Sequence, residues 1–485
     1  MLKSLEMEGY GELIRRSFAW SSPAAFARYV GGKYDVPDHI AFLNRNLMSL
    51  ARGDISRLAV FMPPRHGKSE LVSRFFPAWY LGTHPDDRVI LASYGSDFAS
   101  QWGRKSRDLL VEYGELFGVQ IDERSSAKNS WDLKGHRGGM NTGGVGSGLT
   151  GMGASLFIID DPVKDAEHAN STRYRESAKD WYRSVAHTRL APDGRVVLIQ
   201  TKWHEDDLGS WIIRESNEDW TVINLPALAE KDDLLGRKPG EALWPERFNH
   251  NWLDRKRLEV GEYWFSALYQ QRPQPLEGGV LKRGWLQYYN TSISHHDLQF
   301  FDVYMGVDLA ISKKDSADYT TTCVIAVKRS SNTMYILDWT RDHLDFPEQL
   351  RLIQGQYNRW KPVLVGIEST AYQAALSQQL LTERAYPIRQ LKPTTDKTTR
   401  FMSRFTLFEN GHIFLPAWHS LLGDFESEFA TFPSSKHDDL LDATEIALSM
   451  VGHAQMYTNS EEHAYYPPTA RKYWKHKIPQ YKKRL

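Results

Sequence analysis

The sequence predicts an α/β protein with two domains, each built on its own β-sheet. Between residues 56 and 227, short apolar runs of the buried-strand type alternate with helical segments, which indicates a largely parallel sheet covered by helices. A second set of strands begins near residue 301, and the hairpin signal at 329–332 predicts that this sheet is partly antiparallel. A chain of 485 residues is also too long for one ordinary core.

Composition and charge narrow the classes of protein that the chain can belong to. With 41% hydrophobic and 25% charged residues it is a globular protein. The 60 basic residues balance 60 acidic ones, so any contact with nucleic acid must come from local basic surfaces. The single cysteine, Cys323, excludes an intramolecular disulfide and a cysteine-based metal site. We expect no membrane span and no secretory signal, and a cytosolic site of action fits.

Changes in composition divide the chain into five segments. They are an N-terminal helical segment 1–55, a first core 56–227, a connecting subdomain or linker 228–300, a second core 301–452 and a flexible basic tail 453–485. The connecting segment is rich in Pro, Trp and charge and shows no clear strands.

A degenerate phosphate-binding loop follows the first strand of the first core. Its candidate nucleotide-binding residues are Pro64, Arg65, His66, Gly67, Lys68 and Ser69. Such a loop turns backbone N–H groups toward phosphates, with a lysine at the β/γ position and a hydroxyl on Mg²⁺. Met62 stands where the first glycine is usual, yet the strand before the loop and the helix after it favour an ATP site over a chance triplet.

Two acidic residues end a later buried strand. Asp160 is expected to hold Mg²⁺ together with Ser69, although a carboxylate here could also be a loop or capping residue. Asp161 follows at the position that normally polarises the attacking water, where Glu is more usual, and Glu167 is a nearby alternative.

Three further features of the first core have two interpretations each. Thr201 could sense the γ-phosphate or only end its strand by local hydrogen bonding. Arg65 could stabilise the transferred phosphoryl group or form an ordinary ion pair. The eight glycines between 138 and 153 suggest a mobile loop facing a ligand, or a disordered surface loop.

The second core carries separated carboxylates at element edges. Asp308 and Glu368 end strands, and Asp438 and Asp439 open a helix that also holds Asp442. This is an RNase H-like arrangement, and oxygen ligands suit two Mg²⁺ or Mn²⁺ ions that cut a phosphodiester. Asp438 and Asp442 share a helix face at i and i+4, so Asp438 is our first choice for the third ligand and Asp439 points elsewhere. Asp439 and Asp442 could instead be N-terminal helix charges.

Other charged residues are more weakly indicative. A basic stretch could track a DNA backbone or be a solvated helix face; it comprises Lys392, Lys397, Arg400 and Arg404. Asp315 and Asp318 could assist metal or phosphate binding, or form a polar turn.

Taken in order, these motifs resemble the large terminase subunit of tailed bacteriophages, the motor that packages viral DNA. The resemblance spans roughly residues 35 to 450. The segments that show it are 62–69, 157–165, 200–208, 269–275, 306–310, 366–369 and 437–443. It implies a P-loop NTPase domain of the additional-strand, conserved-glutamate (ASCE) type, followed by an RNase H-like nuclease domain. It departs from many relatives at Asp161, where they have Glu.

The resemblance also implies roles and partners. It assigns the binding of ATP and Mg²⁺ to Lys68, Ser69 and Asp160, and it gives Thr201 a role in coupling. Two nuclease metals are assigned to Asp308, Glu368 and Asp438. The partners are double-stranded DNA, a small terminase subunit and a portal protein, on which the chain forms a homo-oligomeric ring. The place of action is the host cytoplasm during virus assembly, and the protein is absent from the mature virion.

Three rival functions remain open at the level of sequence. The first is a helicase or translocase whose RNase H-like domain is inactive. The second is a recombinase-like nuclease whose P-loop drives no motor. The third is a DNA-binding assembly factor without chemistry.

Overall fold

The computed structural model divides the chain into two compact units, residues 1–275 and 276–485. It describes residues 16–147, 149, 153–274, 281–309, 319–368, 386–392, 397–433 and 437–451. The predicted connecting segment 228–300 is divided between the two units. The tail 453–485, with Asp315 and Asp318, lies outside the described residues.

The first unit is built on an eight-stranded sheet. Its strands are β1 (Arg57–Phe61), β2 (Arg88–Ser93), β3 (Ile121–Ala127), β4 (Ser130–Leu133), β5 (Gly139–Gly144), β6 (Ala154–Asp160), β7 (Leu190–Gln200) and β8 (Thr221–Asn224). They lie in the order β3-β4-β5-β2-β6-β7-β1-β8, with antiparallel pairing only at the β3-β4-β5 edge.

Helices cover this sheet, as the alternating pattern predicts. They are α1 (Pro23–Gly31), α2 (Asp38–Arg52), α3 (Phe76–Thr83), α4 (Ser96–Tyr113), α5 (Ala166–Asn170), α6 (Thr172–Trp181), α7 (Leu208–Glu215) and α8 (His250–Trp264). The helix after the phosphate loop begins as a π-helical turn, Glu70–Phe75, before it becomes α3. The helix α8 falls in the predicted connecting segment, whose Pro- and Trp-rich composition did not indicate it.

The strand that carries the phosphate loop is separated from the strand that ends in Asp160. β7 lies between them and is parallel to both β1 and β6. An inserted strand between these two is what the ASCE type requires, so the predicted fold class of this unit is confirmed. All three strands end at the same edge of the sheet, because parallel strands run in one direction.

The first part of the glycine-rich stretch 138–153 is a strand and not a loop. Gly139–Gly144 form β5, which pairs with β2 along its whole length. A Cβ atom on Gly138 would lie 2.2 Å from the carbonyl oxygen of Pro85, and one on Gly139 would lie 2.4 Å from that of Trp131. Glycine is therefore needed here because backbones pack closely. Gly148 and Gly151 lie outside the described residues.

The second unit is built on a seven-stranded mixed sheet in the order β14-β13-β10-β11-β12-β15-β9. Its strands are β9 (Gln287–Tyr289), β10 (Phe301–Asp308), β11 (Thr320–Lys328), β12 (Met334–Asp342), β13 (Leu364–Glu368), β14 (Ile388–Leu391) and β15 (Ile413–Pro416). Its helices are α9 (Phe346–Trp360), α10 (Lys397–Glu409), α11 (Leu422–Thr431) and α12 (Asp439–Ser449). The antiparallel β10-β11-β12 meander beside parallel β13 confirms the predicted partly antiparallel sheet.

Among the described residues, no helix combines the length and the apolar character that crossing a bilayer requires.

Candidate functional site

The phosphate loop of the first unit has the backbone shape that its glycine allows. Gly67 has φ +90°, and a Cβ atom there would lie 3.0 Å from the Cδ1 atom of Ile40. Arg65 also adopts a left-handed conformation, with φ 64°. The first helical hydrogen bond, from Leu71 N–H to Gly67 carbonyl, then starts the following helix. The loop thus ends at a helix N-terminus, which favours an anionic ligand.

Lys68 connects the phosphate loop to the ends of two other strands. Its buried Nζ donates to Thr201 Oγ1 at 2.7 Å and lies 3.3 Å from Asp161 Oδ2. The backbone N–H of Thr201 donates to Asp161 Oδ1 at 2.8 Å. The three predicted residues therefore form one connected group at the edge where β1, β6 and β7 end.

Asp160 lies behind this group in a fully buried position. It accepts hydrogen bonds from Ser69 Oγ at 3.0 Å and Ser73 Oγ at 2.7 Å. Burial, and after it the charge of Asp161, raises the pKa of Asp160 to about 7, although the two serine hydroxyls act in the opposite direction. A hydroxyl and a carboxylate in direct contact are a donor set that fits Mg²⁺.

Asp161, and not Glu167, is the carboxylate placed beside Lys68. A cleft of about 620 Å³ opens over the phosphate loop, and its lining includes Lys68, Asp161 and Thr201. Glu167 lies on α5 and is not part of that lining.

Several lining residues were missed by sequence reasoning, namely Tyr94, Phe98, Trp102, Lys164, Trp203 and Arg247. Tyr94 directly follows β2 and Trp203 follows β7, so their position at strand ends was a usable signal. Arg247 comes from the predicted connecting segment and carried no such signal.

Arg65 and His66 point in different directions. The Arg65 side chain is exposed and forms no ion pair with any residue in the described part of the chain, which leaves it available to a phosphate. The His66 ring is buried against Phe248 and donates from Nδ1 to the Pro64 carbonyl oxygen at 3.0 Å. His39 Nε2 donates to the His66 carbonyl oxygen at 3.0 Å. His66 therefore supports the loop from inside, and its side chain is not in the cleft.

In the second unit, Asp308 and Glu368 end neighbouring parallel strands. Val307 is paired with Ile367, so the two carboxylates follow the same paired position on β10 and β13. Residues two apart on a strand share a face. Asp308 therefore shares a face with Gly306, and Glu368 with Gly366.

These glycines let the helix α12 approach the strands. A Cβ atom on Gly306 would lie 2.2 Å from the carbonyl oxygen of Ala443, and one on Gly366 would lie 2.9 Å from Ile446 Cγ2. Because Gly306 and Gly366 have no side chains, α12 can pack directly on the two strands, and its acidic first turn lies near the ends of β10 and β13.

The resulting cluster of carboxylates is strongly coupled. Burial, and then the charges of Asp442 and Asp439, raises the pKa of Asp308 well above its usual range. Burial likewise raises the pKa of Asp442 to about 7, with Lys397 opposing and Asp438 and Glu368 adding to the shift.

The structure changes the order of preference among the helix carboxylates. Asp438 and Asp442 share a face, because both contact Lys397 Nζ at 2.5 Å. The Asp442 side chain is 15% exposed and that of Asp438 30%, and the charge of Asp442 raises the pKa of the buried Asp308, so Asp442 replaces Asp438 as our first choice for the third ligand. Asp439 is buried and contacts Arg341 at 3.4 Å, a different partner from the lysine shared by Asp438 and Asp442, and its charge also raises the pKa of Asp308.

The donor chemistry of the cluster fits Mg²⁺ or Mn²⁺, which prefer carboxylate oxygens. Within the described ranges, no three His, Cys, Asp or Glu side chains are close enough together to hold a metal ion. Two cations lie among the acids instead: Lys397, and Arg400 at 3.7 Å from Glu368 Oε1. Arg400 is thus directed inward and is not part of a solvated face.

Comparison with protein families decides the identity of the two units. Residues 60–268 match the model described as terminase large subunit, T4likevirus-type, N-terminal, and residues 305–451 match the terminase RNaseH-like domain. The chain belongs to the large terminase family. The two matches together cover well over half of it, with one match in each unit, and the predicted family is confirmed. No curated protein sequence matches the chain.

Solved structures of large terminases are among the structural matches of the chain, all at low sequence identity. One from a thermophilic bacteriophage, in complex with ATP-γ-S, is 12% identical, with 84% of this chain and 98% of that chain covered and a TM-score of 0.49. The HK97 bacteriophage large terminase is 11% identical, with coverages of 82% and 92% and a TM-score of 0.32. The large terminase nuclease of thermophilic phage G20c, with bound magnesium, is 14% identical, with coverages of 36% and 98% and a TM-score of 0.29.

Proposed function

We propose that the chain drives double-stranded viral DNA into a procapsid by ATP hydrolysis and cuts concatemeric DNA with a metal-dependent endonuclease. The observation that carries the proposal is the pair of separate polar clusters, one in each unit. One joins a phosphate-loop lysine to a strand-end threonine and carboxylate, and the other gathers strand-end and helix carboxylates.

In the first unit, the phosphates of ATP would lie along the loop from Pro64 to Ser69. Lys68 would leave Asp161 and Thr201 to contact the β- and γ-phosphates, with Arg65 reaching the transferred group. Ser69 and Asp160 would hold Mg²⁺, which neutralises charge on the phosphates. Asp161, which contacts Lys68 at 3.3 Å, would be released by it and would orient the attacking water.

In the second unit, Asp308, Glu368 and Asp442 would hold Mg²⁺ or Mn²⁺, with Asp438 and Asp439 beside them. The ions would activate water and stabilise the leaving oxygen of a phosphodiester. The protein's part would be to bring three carboxylates from three elements together around the ions at one edge of the sheet.

The proposal includes the assembly in which both reactions take place. We propose a homo-oligomeric ring on the portal protein, with a small terminase subunit that recognises DNA. The place of action is the host cytoplasm during assembly, and the mature virion lacks the protein.

Two matched pairs of variants test the two chemistries. We expect Lys68→Ala to abolish DNA-stimulated ATP hydrolysis, while Lys231→Ala, at an exposed lysine of the same unit, retains it. We expect Asp308→Asn to abolish nicking of supercoiled plasmid in Mn²⁺. Asp302→Asn, at the other end of β10 where the side chain pairs with Arg329, should still nick.

The results also separate the rival functions. ATP hydrolysis without Asp308-dependent nicking would leave a translocase with an inactive nuclease domain. Nicking with turnover unaffected by Lys68→Ala would leave a nuclease without a motor, and absence of both activities from the unchanged chain would leave an assembly factor.

A further inference from the structure

Lys397 reaches the carboxylate cluster from the first turn of α10. Its Nζ atom lies 2.5 Å from Asp438 Oδ2 and 2.5 Å from Asp442 Oδ2. The two acids are one turn apart on the same helix face, so a single ammonium bridges them. The Lys397 side chain is 39% exposed, which leaves it a path to solvent.

Arg400, one turn further along α10, neutralises the other side of the cluster. Its guanidinium lies 3.7 Å from Glu368 Oε1 and 3.6 Å from Glu445 Oε2. The Arg400 guanidinium is within ion-pair distance of these carboxylates but beyond hydrogen-bond distance, whereas the Lys397 ammonium is hydrogen-bonded to Asp442. α10 therefore supplies two positive charges to a group of acids that would otherwise repel one another.

A divalent ion at this edge needs oxygens that Lys397 already contacts. Mg²⁺ binds carboxylate oxygens at about 2.1 Å, and an ammonium bonded to Asp442 both occupies a lone-pair direction and repels the ion. We propose that Lys397 is the counterion of the metal-free nuclease site and is displaced from Asp442 when a divalent ion binds. This inference rests on the nuclease function proposed above.

Lys397 is accordingly a positioning residue that sets the metal concentration at which the site fills. It stabilises the empty cluster and opposes the loaded one. A purely structural tie between α10 and α12 would stabilise both states equally, and the two roles therefore differ in their effect on metal affinity.

Mn²⁺ titration of the full nucleotide-free chain, with free Mn²⁺ read by electron paramagnetic resonance, separates these roles. The binding component lost in Asp308→Asn is the nuclease site. We expect the nuclease site of Lys397→Met to bind Mn²⁺ at least about tenfold more tightly, because the substitution removes a positive charge that lies a few ångströms from the divalent ion. In EDTA the same variant should melt at a lower temperature, and saturating Mn²⁺ should remove the difference.

Two controls accompany the measurement. Lys397→Arg keeps the charge and should bind Mn²⁺ no more tightly than the unchanged chain. Lys179→Met removes a buried lysine that contacts Glu176 and Asp206 in the first unit, so it should lose stability without a change in Mn²⁺ affinity. Lys397→Gln provides a second neutral variant if the methionine variant does not fold.

An unchanged or weaker Mn²⁺ affinity in the folded neutral variants, with the Asp308-dependent component present, overturns the role of Lys397 alone. If Asp308→Asn loses no Mn²⁺ binding, the proposed nuclease site fails, and this inference fails with it.

Discussion

The hydroxyl of Thr201 fixes the position of the Lys68 ammonium. It accepts from Lys68 Nζ at 2.7 Å and donates to the Met62 carbonyl oxygen at 3.4 Å. Thr201 therefore joins the phosphate loop to the end of β7, and through its backbone N–H to Asp161. A change in the position of Lys68 on ATP binding must alter all of these contacts.

We expect Thr201→Val to lower the kcat of ATP hydrolysis by about ten- to a hundredfold, the equivalent of one hydrogen bond to a charged group. Valine has nearly the same shape as threonine, so the loss reports the hydroxyl. Thr201→Ser keeps the hydroxyl and should retain most of the rate. Equal rates for the valine variant and the unchanged chain would exclude a role for this contact.

The buried His66 predicts how the stability of the first unit depends on pH. Burial lowers the pKa of His66 from its usual 6.5 to about 3. Between these values the unfolded chain binds the proton and the folded chain does not, so the free energy of unfolding falls as the pH falls.

Urea unfolding between pH 6.5 and 4.5 measures this effect. We expect the slope in His66→Gln to be shallower by about 1.4 kcal/mol per pH unit, since one proton is no longer taken up. His250→Gln, at an exposed position on α8, should keep the original slope. Identical slopes for all three proteins would show that His66 does not titrate as its burial implies.

Single residues were predictable from sequence where the signal is local. Lys68, Ser69 and Asp160 follow from one loop and one strand end, and the structure places all three at one edge. The choice between Asp438 and Asp442 was not predictable, because a shared helix face does not say which turn meets the neighbouring strand. His66 lies in the phosphate loop and was therefore expected to bind nucleotide. Only its packing against Phe248 shows that its ring is buried inside the unit.

At the level of elements, the contact between α12 and β10 depends on Gly306. An added methyl group would meet the helix backbone at Ala443, which cannot move as a side chain can. We expect Gly306→Ala to lower the free energy of unfolding of the second unit by about 2 kcal/mol or more and to weaken Mn²⁺ binding. Urea unfolding and Mn²⁺ titration of the same preparation measure both.

Gly355→Ala is the matched control, since a Cβ atom there meets nothing within 4 Å. Gly355 lies in α9, where alanine should be neutral or stabilise by up to about 1 kcal/mol. A Gly306→Ala variant as stable as Gly355→Ala would contradict the close packing of α12 on β10.

Elements with a clear local hydrophobic pattern were predictable from the sequence. Elements that form only because other strands pair with them were not. The strands β1, β2, β6 and β7 are apolar runs between turn residues, and they were expected where they lie. β5 is composed largely of glycine, which is a poor strand former. It forms a strand because β2 and β4 pair with its backbone on either side, and that pairing is visible only in three dimensions.

At the scale of the whole molecule, each unit carries one site and its own core. We expect a non-hydrolysable ATP analogue with Mg²⁺ to raise the melting temperature of the first unit. Mn²⁺ without nucleotide should raise that of the second. A ligand at a hundred times its Kd stabilises by about 2.7 kcal/mol, which calorimetry detects.

Lys68→Ala should remove the first shift alone and Asp308→Asn the second alone. One transition that both ligands move together would show that the two units unfold as one.

Sequence could predict two cores from length and from the second set of strands. It could not fix the division at Pro275, because the Pro- and Trp-rich segment contributes Arg247 to the cleft and Leu253 to a buried cluster of the first unit.

The contacts of Lys68 have a consequence for the speed of the catalytic cycle. A buried ammonium left alone after product departure would make the vacant enzyme costly and would hold ADP tightly. Under the proposed ATPase function, Thr201 and Asp161, which contact that ammonium in the structure, would receive it as the product leaves. We then expect release to be eased and nucleotide to exchange rapidly, as an enzyme that repeats its stroke many times along one polymer would require.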